Sequence, residues 1–511
     1  MKKILIVTCR FDEDRNGGSR PWRVPQAMAA AYLAGGFNPQ LCEIRLYSEL
    51  YSGPLLDLDL LRWPDMLVLS GLQVDFDRFL HLTAYARTLN PNVIVVAGGS
   101  LVEVLPVLSR RFFDYCCRGP VEEIQNVIRD AFGPDHVAET FMPRYDLAYW
   151  TKGVGLVESS RYCNFHCNFC TMSIENNSYT SFDLETVRRQ ILSTGRKHIF
   201  FLDNNFYGNN VHQFESKLEM LKEMKRCGEL RSWGAELTAD FFMKQRNLEL
   251  ARESGCVALF CGVESFDDDC LASFEKRQNL TNQVDLIRRC LEAGILFLYG
   301  IIIDPTRRSV KSLQVEFEFI LNNDEITLPS YFTMPVPLLG TPFFFEYLNK
   351  GAILPRTRVR DLDGTTLSLR PLDDLGSVAE FWSRVLRWEG YKKQLIMRTI
   401  RFLRRYKYSL DWLARAVNVG NSATQLLPRY RNRRRTFVST SECLDPVYKP
   451  ICSVPSKFQK YFEPVYVMDE AGLLNPDLEE LREPSAIRSL RTIPATLRDD
   501  DAGIKAVSAR Y

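Results

Sequence analysis

Three thiols in one short stretch are the residues best suited to chemistry. Arg161–Cys170 reads Arg-Tyr-Cys-Asn-Phe-His-Cys-Asn-Phe-Cys, which sets Cys163, Cys167 and Cys170 at the spacing C-x3-C-x2-C. Thiolates are soft ligands that select zinc, copper(I) or iron–sulfur clusters. A structural zinc site needs a fourth protein ligand, and His166 is the candidate nearby. A ferredoxin-type cluster needs a fourth cysteine, but the next one along the chain is Cys227. Three cysteines on a four-iron cluster leave one iron open to a ligand that is not protein. Zinc and such a cluster both stay open on these residues alone.

The elements around the cysteines must hold them still. A strand over Gly155–Ser159 delivers the loop from its carboxyl end, and further strand-then-helix units follow. The strands are expected at His198–Leu202, Trp233–Thr238, Val257–Val263, Gly294–Ile303 and Tyr331–Val336. Polar residues collect where these strands end: Asp203, Asn204 and Asn205 after the second, Glu236 late in the third, Glu264 and Ser265 after the fourth. An isolated Asp-Asn-Asn is ordinarily a loop turn. Its place at a strand end, 33 residues beyond Cys170, favours a binding role. Cys256 and Cys261 read as packing, and His166 as a solvated loop residue.

Ahead of this lies a second alternation. Strands over Lys3–Cys9, Gln40–Arg45, Asp65–Ser70, Asn92–Ala97 and Asp114–Cys117 alternate with polar loops and helices. Five such units predict a doubly wound parallel sheet, which takes ligands beyond the carboxyl ends of its strands. Ser70-Gly71, Gly98-Gly99-Ser100 and Arg118-Gly119 lie at those ends, where backbone can come close to a phosphate or flat ring. No G-x-G-x-x-G follows the first strand, which argues against a dinucleotide site. Cys116 and Cys117 are neighbours on one strand and point to opposite faces, so they read as packing.

The cysteine spacing, with Phe169 before the last thiol, resembles the signature of radical S-adenosylmethionine (radical SAM) enzymes. The pieces Asp65–Gly71, Val93–Gly99 and Asp114–Glu123 resemble the cobalamin-binding domain that precedes the barrel in many of them. The resemblance implies an α/β fold: a doubly wound parallel-sheet domain over 1–133, a linker over 134–152, and a partial (β/α)6 barrel over 153–345. A basic helical region over 346–435 and an extended, partly disordered tail over 436–511 complete the expectation. It implies a [4Fe–4S] cluster on Cys163, Cys167 and Cys170, with S-adenosylmethionine on its open iron. Phe169, Asp203, Asn204, Asn205, Glu264 and Ser265 would then contact that cosubstrate. Cobalamin would rest on Ser70, Gly71, Gly98, Gly99, Ser100, Arg118 and Gly119. Many such domains carry D-x-H-x-x-G after strand one, yet no histidine stands in Arg10–Arg20, and the first of five is His81. Cobalt would then have no protein imidazole below it. The implied activity is methyl transfer to an unactivated carbon. Pro337–Pro342 resembles a segment of family members acting on hopanoids and bacteriochlorophyll precursors, and Tyr331, Phe332 and Phe343–Phe345 suggest a large apolar substrate. A ring-forming or rearranging radical SAM reaction and a non-catalytic redox or zinc protein remain alternatives.

Composition is that of an ordinary globular protein of several domains, with 511 residues, 46 % apolar and 25 % charged. Fourteen cysteines in so long a chain suggest a reducing cytoplasm and a metal site rather than a disulfide framework. The run Ile4–Val7 is too short for a signal peptide. Residues 381–435 carry 15 Lys and Arg against two acids, a net charge of +13, which leaves −11 for the rest. Such a stretch is a solvated face packed on an acidic barrel, or a surface for an anionic membrane or acidic substrate. Nucleic acid is disfavoured, since no base-reading fold accompanies the charge. The expected partners are a small apolar substrate and an electron donor such as flavodoxin or ferredoxin. The tail is expected to lack order after Glu483.

Overall fold

Runs such as Ile4-Leu5-Ile6-Val7 are apolar at consecutive positions, the pattern of a strand covered on both faces. The computed structural model describes residues 1–11, 27–175, 178–274, 282–426, 438–439 and 450–482, and it bears the pattern out. The first sheet comprises β1 (Lys2–Thr8), β2 (Cys42–Ser48), β3 (Met66–Gly71), β4 (Ile94–Gly99) and β5 (Tyr115–Cys117). All pairs are parallel, in the order β2-β1-β3-β4-β5. Alternate residues of β1 go to opposite cores. Ile4 and Ile6 pack with the helices Ala29–Ala34 and Ile124–Phe132, while Leu5 and Val7 pack with Phe76–Leu89. This is the doubly wound arrangement that five β–α units predict. The loop expected over Arg10–Arg20 lies, from residue 12 on, outside the described residues.

The linker runs back along the first helix. The Ala138 amide donates to Gly36 and the Arg144 amide to Ala31, at 2.9 and 2.8 Å. Tyr145 then reaches Tyr32 and Gln190, tying sheet, linker and barrel together in one buried contact.

The second region contains β6 (Gly155–Val157), β7 (Ser160–Arg161), β8 (Thr180–Ser181), β9 (His198–Phe201), β10 (Ser232–Leu237), β11 (Cys256–Cys261), β12 (Leu296–Leu298), β13 (Gly300–Ile302) and β14 (Tyr331–Thr333). Strands β6, β9, β10, β11 and β12 form a parallel wall in chain order. One expected strand, Gly294–Ile303, is broken at Tyr299. That side chain is fully buried, and its hydroxyl donates to the Thr327 carbonyl at 2.8 Å. The chain turns there, and β13 leaves the wall to pair with β14. A single bridge, Glu264 to Ile301, joins the two pieces. Among the described residues the wall does not close, which makes it a partial barrel.

The basic region forms the helices Leu375–Arg387, Lys392–Arg405 and Trp412–Leu426. The first ends on Trp388 in the left-handed conformation, φ 51°. Residues 427–435 lie outside the described residues. The tail departs from expectation. Residues 450–482 are not an extended appendage but fold back on the first domain, because their apolar residues Phe458, Tyr461, Leu478 and Leu481 complete its second core. Glu480 accepts from the amides of Val107 and Leu108, and His81 stacks on Phe462 at 5.1 Å. The stretch after Glu483 lies outside the described residues. No helix among the described residues is long and apolar enough to cross a membrane.

Candidate functional site at the domain junction

The cysteine loop leaves β6 and is pinned at its base by buried polar groups. Asp203, just after β9, is fully buried, and its carboxylate accepts from the Ser159 amide at 2.7 Å and from the hydroxyls of Ser159 and Ser160. Lys217, also buried, donates to Ser159 Oγ at 2.8 Å and to the Phe206 carbonyl at 2.9 Å, with Asp203 3.8 Å away. Burial lowers the Lys217 ammonium to about 8, against the pull of Asp203. Asn205 donates to Asn164 Oδ1 within the loop at 2.6 Å. The hydrogen bonds of Asp203 and of the Asn205 amide end on residues 159–164, so the Asp-Asn-Asn turn acts chiefly as a clamp. Asn204, between the clamping residues, is exposed.

Beyond the clamp the three thiols lie within electrostatic reach of one another and are partly exposed. Burial raises the Cys170 thiol to about 11 and also raises Cys163. Among the described residues no three His, Cys, Asp or Glu side chains converge on a single ion position. In a cluster each cysteine binds its own iron, and a donor set of three soft thiolates on one loop fits it. Phe169 packs edge-on against Phe274 at 5.5 Å. His166 points to solvent, while Cys256 and Cys261 are buried in the core.

Two backbone strains mark the mouth. Tyr162, beside the first cysteine, and Glu264, after β11, adopt left-handed φ values of 64° and 65°. Non-glycine residues hold such values only when the surroundings impose them, at roughly 1–3 kcal/mol each. Glu264 is fixed by its amide donating to Gly300 and its carbonyl accepting from Ile302, and its charge acts on Cys170 and Tyr331. Ser265 faces the other way: it is buried and donates to Glu316 at 2.7 Å.

The wall's inner row follows from strand register. Leu156, Phe200 and Gly234 align, as do Glu236, Phe260 and Leu298. The Phe200 ring lies over Gly234, where an added Cβ would stand 3.1 Å from it. Tyr331 lies over Gly300 and stacks on Phe260 at 5.8 Å. Glu236 is the carboxyl in this aromatic row; burial, assisted by the charge of Asp203, raises it to about 7. Of the aromatics expected near the mouth, Tyr331 is open, but Phe332, Phe343 and Phe344 are buried in the cores.

The first sheet presents its strand ends to this mouth. Gln73, after β3, exchanges two hydrogen bonds with the backbone of Leu339. Arg161 of the cysteine loop pairs with Glu122 at 2.6 Å, and Gly340 lies against Val104 and Ile174. Gly71, Gly98, Gly99, Ser100 and Gly119 remain at least partly exposed there, while Ser70 is buried. Gly99 has φ 113°, and an added Cβ would stand 2.4 Å from the Gly71 carbonyl oxygen. Arg118 is drawn aside by Glu103, which also accepts from the Gly119 amide. The bare backbone here suits a broad flat ligand. No histidine stands at these strand ends, and His81 is buried beside Phe11 and Phe462.

Lys217, Asn164, Arg161 and Tyr179, which lies beside Cys163, were not evident from the sequence. Lys217 carried a signal: it shares a helix face with Phe214, Leu218 and Leu221, where a lysine must find buried partners.

The sequence model of the radical SAM superfamily matches residues 157–308. Over 192 residues the chain is 30 % identical to a bacteriochlorophyllide d C-12(1)-methyltransferase of Chlorobaculum tepidum, covering 36 % of this chain and 40 % of that one. It is 24 % identical to a hopanoid C-2 methylase of Rhodopseudomonas palustris, covering 47 % and 50 %. An uncharacterized methyltransferase of Synechocystis is 26 % identical, covering 63 % and 64 %. The chain thus spans less than two thirds of the length of these relatives. Among solved structures, the cobalamin-dependent S-adenosylmethionine radical enzyme OxsB, with aqua-cobalamin and S-adenosylmethionine bound, shares the fold at a TM-score of 0.58. It is 15 % identical, with 80 % of this chain and 72 % of that one covered.

Proposed function

We propose that this chain, which carries a radical SAM domain over 157–308, is a cobalamin-dependent radical SAM methyltransferase acting on a carbon of a small molecule with a large apolar face. The observation that carries the reading is the junction: the cysteine loop and the bare strand ends of the first sheet meet at one mouth, joined through Arg161–Glu122 and Gln73–Leu339. When bound, the cluster with S-adenosylmethionine supplies one-electron cleavage and hydrogen abstraction, and cobalamin supplies methyl carriage.

The chain's own residues bind, orient and exclude water. Cys163, Cys167 and Cys170 would hold the cluster, and Lys217, Asp203 and Asn205 keep their loop in place. Asp203 is committed to that clamp; Asn204, exposed beside it, and Glu264, at the strained mouth, would meet the amine and ribose of S-adenosylmethionine. Phe200, Phe260 and Tyr331 form the apolar wall against which a flat substrate can lie. Gly71, Gly98, Gly99, Ser100 and Gly119 would receive the corrin through backbone. An electron donor such as flavodoxin or ferredoxin completes the set. The test is incubation with S-adenosylmethionine, a reductant and a polycyclic lipid or tetrapyrrole precursor. A product heavier by one methyl group supports the reading. Turnover of S-adenosylmethionine with a product of rearranged but unmethylated mass contradicts it.

A further inference from the structure

We propose that the outward face of the helix Lys392–Arg405, continued by Tyr408 and Trp412, docks this protein on an anionic lipid surface. The proposal does not depend on the reaction assigned above. The helix has two apolar faces instead of one. Its inner face, Leu395, Arg398 and Phe402, is buried, and Arg398 donates to the carbonyls of Ile320, Ile326 and Thr327. The opposite face repeats at three and four residues: Lys393, Ile396, Met397, Ile400 and Arg404 share it. Ile396, Met397 and Ile400 are 47 %, 46 % and 37 % exposed. Tyr408 and Trp412, just past the helix, are 89 % and 71 % exposed. Contiguous exposed apolar residues rimmed by charge mark an interaction surface.

Charge selects the occupant. The helix holds no Asp or Glu, and the acids beneath it are engaged: Asp324 pairs with Arg401 and Arg405, Glu325 with Arg405, and Asp411 with Arg252. Lys392, Lys393, Arg404 and Lys407 remain around the apolar stripe, with Lys407 over the Tyr408 ring at 4.3 Å. Cations flanking an apolar stripe with Tyr and Trp at its end suit the boundary between headgroups and acyl chains. The helix lies on the barrel's flank, beside Val310–Asn322, and ends near the loop that precedes β14. That end is opposite the cysteine loop, so the face anchors the protein without blocking its mouth.

The experiment is sedimentation of the full chain with vesicles of phosphatidylcholine alone or with added phosphatidylglycerol. Binding is expected only with phosphatidylglycerol, and is expected to weaken steeply with salt. Lys393→Gln with Arg404→Gln should lower it about thirtyfold, and Ile396→Ser with Ile400→Ser about tenfold or more. Both pairs should keep cleavage of S-adenosylmethionine, which verifies their folding. Absence of binding to the anionic vesicles overturns the proposal, as does binding that both pairs leave unchanged. Capture of flavodoxin, or self-association, by this face without vesicle binding overturns it in favour of a protein partner.

Discussion

The two sides of the junction are built by opposite means. On the barrel side, side chains do the fixing: Asp203, Lys217, Ser159, Ser160 and Asn205 clamp the cysteine loop in a buried polar network. On the sheet side, backbone does it, with Gly71 and Gly99 so close that even one methyl group would not fit between them. A side-chain site can be dismantled residue by residue with graded loss. A backbone site tolerates changes that keep the strand ends bare and fails when an atom is added.

Replacing the thiols should have the largest effect. Cys163→Ala, Cys167→Ala or Cys170→Ala is expected to abolish cleavage of S-adenosylmethionine, as followed by release of methionine, whereas Cys256→Ala should leave iron content nearly unchanged. Cleavage surviving in the triple variant would remove the barrel side from the comparison altogether.

Next is the clamp. Lys217→Met leaves the Asp203 carboxylate buried without its cation, a loss of about 3–5 kcal/mol. Chemical denaturation of the metal-free protein should register it, and the reconstituted cluster should lose iron to a chelator faster. Unchanged stability and iron retention would make the network incidental.

Gly99→Ala probes the sheet side. A left-handed φ and the clash with Gly71 should together cost about 2–3 kcal/mol. Cobalamin retention, followed by its absorbance after gel filtration, should fall while S-adenosylmethionine cleavage persists. Loss of cleavage with cobalamin retained would reverse the assignment of the two sides.

The smallest effect is a dependence on pH. Glu236 titrates at about 7 in the fold against 4.5 for the free side chain. Its contribution to stability is therefore fully present below 4.5 and is lost as pH rises through 7. Between pH 4.5 and 8 the protein should lose about 1–2 kcal/mol relative to Glu236→Gln, allowing for partial solvent screening. Parallel denaturation profiles of the two would show that Glu236 is ordinarily solvated.

The same contrast explains what could be read from sequence. The cysteine spacing and the aliphatic runs of β1, β3 and β4 are one-dimensional signals: the first lies in the stretch that the radical SAM model matches, and the runs led to the right strands. The close approach of Gly71 and Gly99 was legible because backbone requirements are written in residue type. Asp203 was legible as a strand-end polar residue, but its partner was not: only packing reveals that Lys217 stands beneath it. The partner of Ser265 was hidden for the same reason, since its hydroxyl turns to Glu316, 51 residues on. The break at Tyr299 escaped notice because an aliphatic run carries no mark of where a buried hydroxyl finds its acceptor. Residues 450–482 looked like a tail because their apolar residues are too sparse to form a core alone, although they suffice to cover one.

The most direct test is anaerobic reconstitution of the whole chain with iron, sulfide and hydroxocobalamin, followed by gel filtration and electron paramagnetic resonance. One [4Fe–4S] cluster and one cobalamin are expected on the same chain, with the reduced cluster signal altered by S-adenosylmethionine. The Co(II) signal is expected to show no splitting from a protein histidine nitrogen. A chain that retains zinc or no metal, or one that builds the cluster but releases all cobalamin, would contradict the proposed function.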